Sequence, residues 1–227
     1  MKIAENSPKI EVQLLSQRVY EPIKEKILNL SYKPGERLVE QHLAAEFGIS
    51  KSPIRDALQR LERENLVYML PFIGSHVAKI SKKEYAEIHQ LREALETYCL
   101  SGGLSSYTEE DIDQFRKVME SAKKKLAEGD ALGAFGEHFF FHFLIIEKFK
   151  NISITGIYSC LSDKIKRYIN VAQKYIPSRL KLAHEEHMKL LRAIEKKDAA
   201  LAADELKAHL LKVLNSYLKS DEIENFK

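Results

Sequence analysis

The sequence predicts a mainly α protein: an N-terminal winged helix-turn-helix with a small β-hairpin wing, followed by an all-α antiparallel bundle of about six helices. Three observations predict it. Apolar residues recur at helical spacing along most of the 227-residue chain. Strand-like pattern is confined to one stretch, residues 66–80. Only nine Gly and six Pro punctuate the chain, so connections are short and successive helices run antiparallel.

The elements follow in order. Residues 1–11 read as a polar tail. From Leu14 to Leu30, apolar side chains at 15, 19, 23, 27 and 30 fall on one helical face. Pro22 marks the first turn of that helix or kinks it. Lys33-Pro34-Gly35-Glu36 is a turn. A short helix carrying Val39, Leu43, Ala44 and Phe47 stops at Gly48. A second begins three residues on, capped by Ser50 or Ser52, with Pro53 in its first turn. Ile54, Ala57, Leu58 and Leu61 form its buried stripe, and Asn65 ends it in the left-handed conformation. Leu66–Leu70 and His76–Ile80 are two short strands around Pro71-Phe72-Ile73-Gly74. From Ser81 onward the pattern is helical, over about 82–100, 108–128, 131–150, 152–174, 178–196 and 198–219. Two domains are expected, residues 1–80 and 81–227.

Bulk composition says little about function. The net charge is +3, and residues 1–80 hold 12 Lys/Arg against 10 Asp/Glu, so only local placement of charge can mark a DNA-binder. Cys99 and Cys160 lie far apart without a CxxC, as reduced core thiols of a cytosolic protein do. No signal peptide opens the chain, and the apolar run Phe139–Ile146 is broken by His142 and too short for a bilayer. A cytoplasmic protein with no membrane partner is expected.

Helix, tight turn, helix and hairpin is the order of a winged helix-turn-helix, whose second helix enters the major groove. The outward face of that helix carries Lys51, Ser52, Arg55 and Gln59. Lys51 and Arg55 are one turn apart, so both reach the same stretch of groove. An Arg fork can hold both acceptors of a guanine, while Ser and Lys suit phosphates. Backbone amides at the helix start, near Ser50, add a phosphate site. The same spacing also suits an ordinary amphipathic helix with a solvated basic face.

Motif order goes further. A helix ending Ile27-Leu28-Asn29-Leu30 is followed by Pro34-Gly35-Glu36-Arg37-Leu38, Glu40, Leu43-Ala44 and Phe47-Gly48-Ile49-Ser50. Next come Pro53-Ile54-Arg55-Asp56-Ala57-Leu58, Arg60-Leu61-Glu62, Asn65-Leu66-Val67, Gly74 and Val77. Residues 19–78 thereby resemble the GntR family of regulators. The resemblance implies DNA contacts by Lys51, Ser52 and Arg55, by Arg37 near the phosphates, and by the wing at Gly74, Ser75 and His76. Lys51 stands where Arg is common, and Ile73 stands where a basic residue usually precedes the wing glycine.

In the helical part, four histidines stand out. His138 and His142 are i, i+4 on one helix, among Phe139, Phe140, Phe141 and Phe143. His187 and His209 sit on the last two helices beside leucines. Facing helices of a bundle can bring such rings to one point, and imidazoles suit Zn, Ni, Cu or Fe. Buried histidines satisfied by the core are the alternative. Residues 84–213 resemble the FCD-type ligand-binding domain of the FadR branch of the GntR family, in its smaller, VanR-like form. The resemblance rests on Arg92 with Glu96, Phe141-His142, Glu186-His187 with Ala193-Ile194 and Asp198, and Ala202 with Ala208-His209-Leu210. It implies a zinc or nickel site at His142, His187 and His209. His138 stands where the family places an Asp, as a fourth ligand or outside a three-histidine site. His184 is a backup ligand or supports the others. Arg92, and more weakly Arg167 and Tyr168, would clamp a small carboxylate effector. The family reading is a homodimeric repressor on a palindromic operator, with half-sites about 34 Å apart.

Enzyme motifs are missing. A metalloprotease helix needs Glu directly after its first His, and Phe139 is there. A di-iron bundle needs Glu three residues before His, and no histidine has it. No enzymatic activity is expected. A metal that only braces the bundle is the remaining rival to a regulated site.

Overall fold

The computed structural model describes residues 8–220. Described residues up to Ile80 form one compact unit and those from Ser81 a second.

In the first unit, α1 runs Pro8–Leu28, so the helix begins inside the stretch read as a tail. Pro8 sits at the first helical position, where its missing N–H costs nothing, and Pro22 lies inside the helix. After the turn at Gly35 comes β1 (Arg37–Leu38), a two-residue strand too short to leave an alternating pattern. Then follow α2 (Glu40–Phe47) and α3 (Lys51–Arg63). Gly48 ends α2 at φ 65°, and its N–H returns to Ala44 and Ala45. That left-handed turn sets the angle between the two helices. Ser50 stands at the N-cap of α3 but makes no side-chain cap bond. Asn65, at φ 57°, turns the chain into β2 (Val67–Leu70), which pairs with β3 (Gly74–Val77). Both strand pairings are antiparallel, in the order β1-β3-β2. The second strand starts two residues earlier than its hydrophobic pattern indicated, because Gly74 pairs with Leu70. Ile23 and Ile27 of α1, Ile54, Leu58 and Leu61 of α3 and Val77 of β3 close the core. The stripe that packs α3 turns Lys51, Ser52, Arg55 and Gln59 outward.

The second unit is helical: α4 (Lys82–Gly103), α5 (Glu109–Ala127), α6 (Ala131–Lys148), α7 (Ile152–Tyr175), α8 (Arg179–Glu195) and α9 (Ala199–Leu218), with a 3-10 turn at Leu104–Ser106. Local chemistry places the starts. Ser81, Thr108, Asp130, Asn151 and Asp198 each accept a backbone N–H with the side chain at a helix start. Thr108 and Asp111 form a reciprocal capping box. α4 packs on α6, α7 and α9, α5 on α6 and α8, and α8 on α9. α6 is hemmed in by α4, α5, α7 and α8, which explains its phenylalanines and buries His138 and His142. Both cysteines are free; Cys99 is buried, but Cys160 is exposed, contrary to its reading as a core thiol. No described helix is long and apolar enough to cross a membrane.

Candidate functional site

Helical spacing explains how the interior centre forms. His142 lies midway along α6, His187 along α8 and His209 along α9, each on its helix's buried face. Their rings meet: His187 Nε2 is 2.9 Å from His142 Nε2, which is 3.3 Å from His209 Nε2. All three are at most 3% exposed.

The opposite ring nitrogens are all engaged. His142 Nδ1 donates to Glu96 at 2.7 Å, His209 Nδ1 to Glu186 at 2.8 Å, and His187 Nδ1 to the Ala183 carbonyl at 2.7 Å. Acceptors on Nδ1 fix the tautomer and leave the Nε2 lone pair free for a cation. Burial lowers the pKa of each ring: His209 falls to about 4, and His187 falls well below the ordinary value as His209 adds to the effect. For His142 burial also wins, against the opposing pull of Glu96. Neutral rings presenting lone pairs to one another at these distances repel unless a cation lies between them. The donor set therefore fits a divalent transition metal.

Two carboxylates stiffen this arrangement. Glu96, one turn after Arg92 on α4, accepts from Arg92 Nε at 2.8 Å, from Tyr158 at 2.6 Å and from His142. Burial alone would raise its pKa, but Arg92 and His142 hold it far below the carboxylate range. Glu186 accepts from His209 and Arg179, which bring it to about 2 against the push of burial. Sequence reasoning met both carboxylates only as family-motif residues and gave neither a role at the site. The i, i+4 spacing of Arg92 and Glu96 is also that of a surface pair, and tertiary packing is what makes it internal.

The sequence-predicted set divides. His142, His187 and His209 converge. His138 is buried but stands apart: its ring stacks on His187 and its Nε2 meets His184 Nδ1 at 3.2 Å. His138 therefore does not share the point where the other three Nε2 atoms meet. An i, i+4 pair can share one focus, but here the His138 ring is turned to His184 and His187 instead. Arg92 is buried against Glu96. Arg167 is buried too, in the field of Glu84 and Tyr168, while Tyr168 itself donates to Glu84 at 2.7 Å.

On the first unit, Ser50, Lys51, Ser52, Arg55 and Gln59 are exposed, with Arg37 and Gly74 beyond them. Arg55 makes a two-point contact with Glu40, at 3.1 and 2.9 Å. His76 stacks on Tyr68 across the hairpin. Ser75 is a correction: it is 6% exposed because it alternates inward with Val77, so its side chain cannot face DNA.

Comparison with known families settles the class. Residues 15–77 match the model for bacterial regulatory proteins of the gntR family, and residues 87–212 match the FCD domain. The chain is a GntR-family regulator with an FCD domain. It is a DNA-binding transcription regulator and not an enzyme. An uncharacterized HTH-type regulator, YdhC, of Bacillus subtilis is 27% identical over 84% of this chain and 85% of its own. The gluconate operon transcriptional repressor of the same organism is 28% identical, over 83% and 79%. The solved structure of Escherichia coli McbR/YncC shares the regulator's fold, with a TM-score of 0.74 at 22% identity, over 90% and 97%.

Proposed function

We propose that this regulator is a homodimeric repressor whose operator affinity is set by a small carboxylate bound at a metal on His142, His187 and His209. The observation that carries the reading is the convergence of three Nε2 atoms whose Nδ1 partners are two carboxylates and a carbonyl. Zinc or nickel suits imidazole, and such a metal with an open position binds a carboxylate. The chain's own residues do the rest. Glu96 and Glu186 keep two rings aimed while tying them to Arg92 and Arg179. Arg92 lies on α4, the first helix after the DNA-reading unit in the chain, so a shift at this pair moves the helix that directly continues from that unit. The acid changes operator affinity only through its preference for one arrangement of the helices over another.

On DNA, Arg55 would release Glu40 for a guanine edge, Lys51, Ser52 and Arg37 would hold phosphates, with the helix start at Ser50 and Gln59 beside them, and the wing would touch through Gly74 and His76. A relative named as a gluconate operon transcriptional repressor supports the sign of regulation.

The depth of the three rings favours one other reading, a metal that only braces α6, α8 and α9. Metal analysis of the purified protein, with operator binding measured against a panel of acids, separates the two. Stoichiometric zinc or nickel lost in His142→Ala, with acids that change operator affinity only in the metal-loaded protein, is the expected result. Metal loss that moves melting but leaves operator affinity insensitive to every acid supports the brace. Absence of bound metal above the level of His142→Ala overturns the centre.

A further inference from the structure

The hairpin that follows α3 carries no Lys, Arg, Asp or Glu between Val67 and Val77. Its tip is apolar and open to solvent. Phe72 is fully exposed, Ile73 is 50% exposed and Leu70 40%. Single apolar side chains on a surface need no explanation, but three together at one projecting turn mark a contact surface.

The backbone adds a second, independent observation. Ile73 N–H donates to the Leu70 carbonyl at 3.1 Å and closes a turn with Pro71 and Phe72 at its centre. Phe72 has φ 64°. That is the left-handed region, where Cβ crowds a neighbouring carbonyl oxygen and Gly or Asn is usual. Here the position holds a phenylalanine whose ring buries nothing within the unit. Neither turn chemistry nor core packing accounts for the residue. Strain kept at an exposed apolar tip is accounted for by what the tip touches.

The surroundings say what that is. The tip shares a groove with Arg37 and Glu40, and Glu40 is the partner of Arg55. A Cβ on Gly74 would stand 3.7 Å from Arg37 Nε, so the guanidinium lies along the turn. The tip is thus continuous with the cations of the DNA-reading unit while carrying no cation of its own. An uncharged hairpin adds nothing to phosphate attraction. Its side chains suit the flat faces of bases, which a duplex offers only where a base step is opened.

We propose that Phe72, backed by Ile73, is a wedge that enters a base step from the minor groove and partly unstacks it, so that the regulator reads the deformability of its operator as well as its base edges. Arg37 beside it holds the adjoining phosphate. The step is a pyrimidine–purine step, TA or CA/TG, because these unstack most easily. The inference rests on the DNA-binding role of the first unit and is independent of the histidine centre.

The test uses the full chain and a duplex that it selects from a random pool. Aminopurine, an adenine analogue whose emission rises when it is unstacked, replaces adenine at successive positions of that duplex. Wild type is expected to raise the emission several-fold at one fixed step outside the bases read by α3, and to lose about tenfold in affinity when that step becomes AA. Phe72→Asn suits the left-handed turn and removes the ring, and its melting temperature checks that the fold is kept. It is expected to bind the selected duplex about tenfold more weakly, to give no rise at the step and to be indifferent to the AA replacement. Phe72→Gly, read the same way, keeps the proposal testable if Phe72→Asn melts early. No rise at any position with wild type, or an equal rise with Phe72→Asn, overturns the wedge. So does a Phe72→Asn chain that binds DNA as wild type does and differs only in its association state, which assigns the tip to a second copy of the chain. A selection that enriches no sequence overturns the DNA reading and the wedge together.

Discussion

Arg55 and Arg92 each meet a glutamate, Glu40 at 2.9 Å and Glu96 at 2.8 Å, yet the two pairs have opposite uses. The side chains of the first are 58% and 31% exposed, those of the second 6% and 0%. An ion pair in water is screened and readily exchanged, so Arg55 can leave Glu40 for a base edge. An ion pair in the core has no alternative partner, so Arg92 and Glu96 hold each other and the ring of His142 in one geometry. Burial decides whether the same two residue types make a contact to be traded or one to be kept.

The largest effect should come from breaking the inner pair. Glu96→Ala leaves Arg92 charged and unanswered in the core and releases His142, and should cost about 3–5 kcal/mol of stability in chemical denaturation. A loss no larger than that of a surface substitution would show that the pair is not internal. Next is Arg55→Ala, expected to weaken operator binding about tenfold while changing affinity for random duplex much less. Equal losses on both duplexes in fluorescence anisotropy would remove Arg55 from base reading.

A pair of intermediate burial sharpens the scale. Asp111 contacts Lys148 at 3.0 Å, with side chains 16% and 11% exposed, and closes the capping box of α5. The backbone N–H of Thr108, then Lys148, depress its pKa from 3.8 to about 2. A depressed acid stabilises the fold above its unfolded value, and that contribution fades as pH falls from about 3.8 to 2. Asp111→Asn should therefore cost about 1 kcal/mol at neutral pH and less at pH 2, where wild type has lost the same contribution. A deficit that is constant with pH would contradict the assignment. The smallest effect belongs to the outer glutamate. Glu40→Gln should leave the melting temperature nearly unchanged and raise DNA affinity slightly, by freeing Arg55 and removing a negative charge beside the phosphates.

Much of this architecture is written locally. The stops at Gly48 and Asn65, the apolar stripe of α3 and the six helices of the second unit follow from turn chemistry and periodicity, which depend on near neighbours in sequence. His142, His187 and His209 were legible because each sits at a buried register of its helix, and family motifs fall on the same positions. What was illegible depends on packing. The pattern placed His138 on the right face but could not say that its ring would meet His184 instead. Ser75 lies in the wing motif of the family resemblance, but it pairs with both Leu38 and Met69 in the sheet and alternates inward with Val77. Glu96 and Glu186 look like surface acids until the helices around them are assembled.

The three histidine anchors differ in one further respect, with consequences for descent. Glu96 and Glu186 are side chains, and a single codon change removes either. The anchor of His187 is the main-chain carbonyl of Ala183, present whatever residue occupies that position. As the sequence drifts, the orientation of His142 and His209 must be maintained by selection, whereas that of His187 is inherited with the helix itself.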